Sequence, residues 1–486
     1  MTSNNTEFAG WTPSPDGRGT YDIILTCLIT TTLCCWTSVY PNIPGPHDGD
    51  WANFRDRLGL AFLGLLGPDF IIVLAIGQKS SAQRSVRKFR LEGHRDWTMA
   101  HAFFADMGGF VLKAHDLERT IPLNAEQVFY LVQKGFIGYP IMTIEELKDR
   151  DKSDGLARLL TVCQSTWFVI SLIARAIEGL AITTMELTTL SFVINLFGTA
   201  WCWKDKLSDA RTTITLETPA TIDEILATGG ARAQQPYYQT PLDFISRDET
   251  ALNLVWQYYN ELGRKIFFSP FSRRNSNPWD RIPGDIFLRM EFNLELVGVA
   301  FILAFSAVFL LAWHFDFPST AELIFWRASS IYMITYGMLG ALWMELAMWI
   351  FIPQSRAAEG LLPSALEESS SEHPFRKWHQ YLQDWWKNYR RGTHHHPVSE
   401  TDRDLLVELE VINKKVPGFL SRSHNISPDK DPNMQVQIGF LIVTSILCGF
   451  YCIFRAYILI EDVIGLRSLP KSAYQTVNWL TFLPHI

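Results

Sequence analysis

The feature that most constrains this chain is the segregation of its charges. Most of its 43 Lys and Arg residues fall in residues 79–157, 204–290 and 351–435, and the stretches between are long, apolar and almost free of charge. A bilayer core about 30 Å thick is crossed by about 20 mostly apolar helical residues. Runs of that kind occupy residues 21–40, 58–76, 159–182, 185–203, 292–313, 323–352 and 436–460. The sequence therefore predicts an all-α fold: a polytopic membrane helical bundle of about seven transmembrane helices with large cytosolic loops, one membrane domain over residues 1–486. Two shorter apolar segments, 98–112 and 477–486, read as interfacial or re-entrant pieces. The mean hydropathy of +0.04 is an average over these two unlike parts. The 19% of charged residues lies below the roughly 25% of soluble domains. A net charge of -7 offers no basic footprint, so no nucleic-acid partner is expected.

Orientation follows from the basic stretches. Lys79, Arg84, Arg87, Lys88, Arg90 and Arg95 follow the second run directly, and the positive-inside rule places them in the cytosol. Counting seven crossings from there puts all three basic stretches in the cytosol, the N-terminus cytosolic and the C-terminal tail lumenal. An integral, multi-pass protein of the endoplasmic reticulum is the expected setting. The first run has no small-x-small cleavage site after it, so it reads as an uncleaved first helix. The sequons at Asn4 and Asn425 both fall on the cytosolic side of this topology and are expected to stay unmodified.

The polar stretches are not featureless. Asn124 before Ala125 and Glu126, and Thr143 before Glu145 and Glu146, have the form of capped helix openings with an early carboxylate. Residues 375–391 mix Trp, Tyr and basic residues in the manner of an amphipathic helix on a membrane surface. His394, His395 and His396 read as a solvated tract. The cysteines sit in or beside apolar runs, as small packing residues do, and no metal site is expected.

Ionisable groups inside apolar runs are functional candidates, because burying them is expensive. Asp69 follows Pro68 in the second run, Arg175 and Glu178 lie three residues apart in the third, and Glu345 lies in the sixth. His101 and Asp106 occupy the short segment 98–112. Arg175 with Glu178 also fits a neutralising pair that merely lets a helix insert. Asp69, Glu178 and Glu345 are flanked by apolar residues, so burial favours their protonated forms. A buried carboxylic acid is what a proton-initiated cyclisation or a proton-coupled transporter needs. The chain has no G-x-S-x-G elbow, Walker loop, H-E-x-x-H or Gly-rich dinucleotide fingerprint.

Several motifs occur together: Gly10-Trp11, Asp16-Gly17-Arg18-Gly19-Thr20, Trp97-Thr98 with Phe103 to Phe110, and Leu466-Arg467-Ser468-Leu469-Pro470 with Tyr474-Gln475-Thr476. In these the chain resembles, along its whole length, a large fungal family of multi-pass membrane proteins. Some similar proteins are placed in meroterpenoid secondary metabolism as membrane-bound terpene cyclases. That resemblance implies a cofactor-independent cyclase or isomerase that protonates a lipophilic prenylated substrate with buried carboxylic acids. The candidates would be Asp69, Glu178, Glu345, Asp106 and His101, with Arg175 balancing charge. Its partners would be the lipid bilayer, the lipophilic small-molecule substrate and other enzymes of a biosynthetic pathway. A proton-coupled transporter, channel or receptor-like protein without catalysis remains the alternative, as does a purely structural membrane protein.

Overall fold

A computed structural model describes residues 7–13, 17–151, 155–230, 233, 237–246, 250–266, 278–358, 426, 436 and 438–479, without the side chains of residues 345 and 348–358. The amphipathic stretch 375–391, the histidine tract, the sequons and most of segment 477–486 lie outside the described residues. The chain is mostly helical, and four of its helices are long and apolar enough to cross a membrane: Thr20–Thr37, Leu156–Ile177, Phe292–His314 and Ile438–Arg467.

The second apolar run is not one helix. It breaks into α2 (Asp50–Leu66) and α3 (Pro68–Leu91), which meet at a bend of 120°. The cause is local. Pro68 opens α3 where its missing N–H removes no helical bond, and Gly67 allows a close approach in which a Cβ would meet the Phe70 ring at 2.5 Å. Both outer arms return to one end of the bundle. Asp50 at the start of α2 pairs with Arg211, and Arg87 near the end of α3 pairs with Glu291.

Six helices run from end to end around this hairpin. They are α1 (Thr20–Thr37), α7 (Gly155–Ile177), α8 (Thr184–Cys202), α12 (Phe292–Ala307, extended by a 3-10 turn to His314), α13 (Thr320–Ala358) and α14 (Ile438–Ile464). The centre is α8, whose buried side chains include Leu187, Phe192, Val193 and Leu196. Trp167, Ile170 and Ile173 of α7 and Ile442, Phe450 and Ile453 of α14 lie exposed on the outside. Such an apolar outer surface is what a lipid solvent demands.

One end of the bundle carries both chain termini. The strand β1 (Phe8–Ala9) pairs with a C-terminal strand (Leu469–Pro470, antiparallel), and the Tyr474 hydroxyl donates to the Gly10 carbonyl at 2.8 Å. The seven-crossing count places these segments on opposite sides. Residues 58–76, counted there as one crossing, are broken at Gly67 into two helices bent by 120°.

The opposite end carries the described residues of the first two polar stretches, 79–157 and 204–290, which fold rather than loop. The segment 98–112, expected to be interfacial or re-entrant, forms α4 (Met99–Asp106) and the strand β2 (Phe110–Lys113). The strand sits between β3 (Ile121–Leu123, antiparallel) and β4 (Ile214–Glu217, parallel). Phe89 of α3 stacks on Trp97 at 4.2 Å, and the Trp97 indole donates to Ser85 at 3.0 Å, so the aromatic core ties this layer to the hairpin. The helix openings expected at Asn124 and Thr143 are present. Asn124 caps α5 (Ala125–Gln133) and Thr143 caps α6 (Ile144–Lys148) by accepting backbone N–H bonds.

Epitope tags at the two termini are expected to be protected together, or digested together, when protease is added to sealed microsomes. Digestion of one tag with protection of the other would contradict the strand pairing.

Candidate functional site

Two groups of buried polar residues stand out, both organised by the hairpin. The first is a cavity of about 140 Å³ at the polar end. Its walls come from α3 (Gln78, Ser81, Arg84), α4 (Phe103, Asp106), the opening of α5 (Asn124, Gln127), Lys206 just after α8, and Asn42. Residues 279 to 289 close the remaining side with Trp279, Ile282 and Leu288. Gly77 makes the closure possible: a Cβ there would lie 2.6 Å from the Leu288 carbonyl oxygen. A volume of this size takes one benzene-sized ring.

Glu126, paired with Lys88, lines the wall with the cations Arg84 and Arg289; Asp106 is the carboxylate of the cavity with no cation paired to it. Its position follows from the α4 C-terminus, which points the side chain at the next helix opening, where its Oδ1 accepts the Ala125 N–H at 2.9 Å. Its Oδ2 is buried and has no hydrogen-bond partner. Burial pushes the carboxyl up to about 6, opposed by the Ala125 bond and by the nearby Ser81 hydroxyl, which lies close to the carboxyl without forming a well-shaped hydrogen bond. Lys206 is the base of the cavity and is 3% exposed. Its ammonium donates to the Tyr40 carbonyl at 2.9 Å, to Gln78 Oε1 at 2.8 Å and to Asn42 Oδ1 at 3.3 Å. All three acceptors are neutral, so burial dominates and lowers the amine to about 7, with the charge of Asp106 opposing. Groups held this far from their ordinary values mark functional sites more often than scaffold.

The second group lies at the hairpin apex. Asp69, the second residue of α3, is 8% exposed and accepts the Tyr451 hydroxyl at 2.7 Å. Asn195 of α8 donates to the Pro68 carbonyl and so ties α8 to the hairpin apex. Arg455, one turn beyond Tyr451 on α14, is buried among Phe192, Phe305 and Phe309.

The other expected site residues are placed elsewhere. Arg175 grips main-chain carbonyls, those of Ala181 at 2.7 Å, Gln475 at 2.8 Å, Ala473 at 3.0 Å and Ser472 at 3.2 Å. Glu178 accepts the Asn478 N–H at 3.1 Å. Together they fasten the C-terminal segment to the end of α7. His101 has both ring nitrogens engaged, one 2.8 Å from Thr98 Oγ1 and one 3.0 Å from the Met142 carbonyl, and burial lowers its pKa and keeps it neutral. It locks the start of α4. The Glu345 side chain lies outside the described residues. Of the expected acids, only Asp106 reaches a cavity. Lys206, Gln78 and Asn42 were missed, because next to Lys204 and Asp205 a lysine reads as part of a solvated loop.

The raised Asp106 carboxyl has a consequence for stability. The native state keeps that proton up to about pH 6, whereas an unfolded aspartate releases it near 4. Stability therefore falls as pH rises from about 4 to 6, and the deficit of about 3 kcal/mol persists above that. Asp106→Asn keeps an acceptor for Ala125 and removes the charge. Its thermal midpoint in detergent is expected to exceed that of the unaltered protein at pH 8, with the gain vanishing below pH 4. A variant less stable at pH 8 would show that the ionised carboxylate is compensated.

Residues 1–229 match a family of unknown function, DUF8562, a span that holds the hairpin, Asp106 and Lys206. No curated protein and no solved structure matches the chain.

Proposed function

We propose that the protein is a membrane-embedded cyclase or isomerase that protonates one ring or one isoprene-sized end of a lipophilic, prenylated substrate in the cavity around Asp106. The observation that carries this reading is the unpaired, buried Oδ2 of Asp106 in a cavity of single-ring size. A general acid works best with a pKa near the working pH, and a carboxyl pushed up to about 6 still carries its proton in a useful fraction of molecules. The Ala125 N–H fixes Oδ1, so the proton rests on Oδ2 and is presented to an alkene carbon or an epoxide oxygen. The deprotonated carboxylate then accepts a proton from the cyclised cation, which restores the acid.

The surrounding groups divide between grip and shape. Neutral amides and hydroxyls (Gln78, Ser81, Asn124, Gln127) offer hydrogen bonds to oxygens on a ring. Phe103, Trp279, Ile282 and Leu288 supply apolar and aromatic wall, which shields a cationic intermediate from water. Lys206 acts as a positioning residue, since its three bonds hold Asn42, Gln78 and the Tyr40 carbonyl in one arrangement. The resemblance to a fungal family of multi-pass membrane proteins, some of them placed in meroterpenoid pathways as cyclases, is in keeping with the same substrate class.

The topology we propose with this function has six crossings and one re-entrant hairpin. The basic polar end faces the cytosol by the positive-inside rule, and the termini face the lumen of the endoplasmic reticulum. Asn4 then becomes a glycosylation acceptor. An endoglycosidase-sensitive mass shift removed by Asn4→Gln is expected, and a chain of unmodified mass would argue for the reverse orientation.

Microsomes holding only this protein, given a prenylated aromatic or its terminal epoxide, are expected to form a cyclised product at a rate that declines above about pH 6. Asp106→Asn should lower turnover by at least 100-fold, the usual scale for removing a general acid, while Arg175→Lys and His101→Gln should retain activity wherever they fold. Full turnover in Asp106→Asn would remove this acid from the chemistry.

A further inference from the structure

The apex of the hairpin carries a second function, separate from the cavity. On α14 the residues Tyr451, Arg455 and Asp462 are all buried and stack along one face at helical spacing. Arg455 is 2% exposed, and its Nε and both Nη atoms have no hydrogen-bond partner. Three Phe rings surround it, with centroids 5.1, 5.5 and 5.6 Å from the guanidinium carbon. The charge is therefore held by ring faces and by the field of nearby carboxylates, not by a direct ion pair. Two carboxylates supply that field: Asp69, held by Tyr451 one turn before Arg455, and Asp462, two turns beyond Arg455 on the same face of α14. Asp462 is 3% exposed, and its Oδ1 is unpaired.

The charge count of this group is unbalanced. Two carboxylates and one guanidinium sum to one negative charge, and a net buried charge is costly inside a helix bundle. The surrounding groups do not cancel it. Glu186 of α8 is already neutralised by Arg18, and Glu322 of α13 by Arg467. Cys27 and Cys35 of α1, Tyr336 of α13, and Cys448, Cys452 and Tyr457 of α14 are thiols and phenols, neutral near pH 7. Glu461, hydrogen-bonded by the Tyr457 hydroxyl at 3.2 Å, belongs to the helix exit with Glu322 and Arg467 and is counted apart from this group. One proton, held by either Asp69 or Asp462, makes the group of three neutral.

We propose that Asp69, Arg455 and Asp462 form a membrane-embedded proton site that holds one exchangeable proton. Tyr451, whose hydroxyl donates to Asp69, positions that carboxylate beside the guanidinium. Because Asp69 is the second residue of α3, loading and unloading the proton changes the charge at the tip of the hairpin. Proton occupancy is thereby linked to the position of the helix that also lines the cavity. The site gives a physical basis for proton-coupled transport, and it does not depend on the cavity being catalytic.

Infrared difference spectra of the purified full chain in nanodiscs, recorded between acidic and alkaline pH and calibrated per chain, count protonated buried carboxylic acids. The charge balance sets the expected numbers. In an Asp106→Asn background, which removes the cavity acid, the otherwise unaltered protein holds one such proton, Asp69→Asn and Asp462→Asn hold none, because the remaining carboxylate pairs with Arg455, and Arg455→Gln holds two. Glu461→Gln should leave the count at one. A carboxylic signal absent from that background, or unchanged when Asp69→Asn or Asp462→Asn is added to it, would overturn the proposal, and neither result depends on Arg455→Gln folding. Turnover in the cavity is a separate readout, so loss of either function leaves the other testable.

Discussion

The break at Gly67 and Pro68 is the constraint on which the rest of this structure depends. A helix that continued through residue 67 would carry the chain to the far end of the bundle. The break returns it instead, and everything C-terminal to it inherits the reversal. The polar stretches collect at one end, the termini meet at the other, and β1 can pair with the C-terminal strand. The same break sets the Pro68 carbonyl against Asn195 and places Asp69 at a helix start in the bundle interior. Irregular backbone at such depth is tolerated only where protein covers it, and α8 and α14 provide that cover.

Polar groups in the interior fall into two kinds, distinguished by what satisfies them. Arg175, Glu178, Glu186, His101 and Arg327 spend their hydrogen bonds on backbone groups at helix ends or on the C-terminal segment. Glu186 completes a capping box with Thr183 and pairs with Arg18, and Arg327 donates to the Trp313 carbonyl. These groups fix geometry. Asp106, Arg455 and Asp462 also keep buried atoms unpaired, as the Arg175 Nε does, but Arg455 and Asp462 grip no helix end or terminal segment, and Asp106 spends only one of its two oxygens on the start of α5. A folded chain retains such costs where something is gained by them, and both proposed functions rest on this second kind.

Much of the bundle was legible in the sequence because a lipid-crossing helix leaves a long signal. The runs at 21–40, 159–182, 292–313 and 436–460 each became a helix of the expected length. The hairpin was not, because residues 58–76 stay apolar on both sides of the break. Gly67-Pro68 signalled a local pocket at Asp69 but not a change of direction, because the angle taken after a break is not written in the apolar pattern on either side of it. The folded polar end was also hidden: α4, β2, β3 and β4 are each short, and their pairing is non-local. Asp106 could be found because a carboxylate in an apolar segment stands out. Arg175 and Glu178 stand out for the same reason yet serve the C-terminal segment, some 300 residues away in sequence.

The central claim is that the second apolar run is a hairpin and not a crossing. Trp51 on its first arm is 72% exposed and Leu91 at the end of its second arm is 87% exposed, so each tolerates a reporter. Single cysteines at these two positions, in a chain whose exposed Cys163 and Cys452 are replaced, can be labelled with a membrane-impermeant maleimide in sealed vesicles of known orientation. Both are predicted to react from the same face. Reaction from opposite faces would restore the crossing and contradict the account.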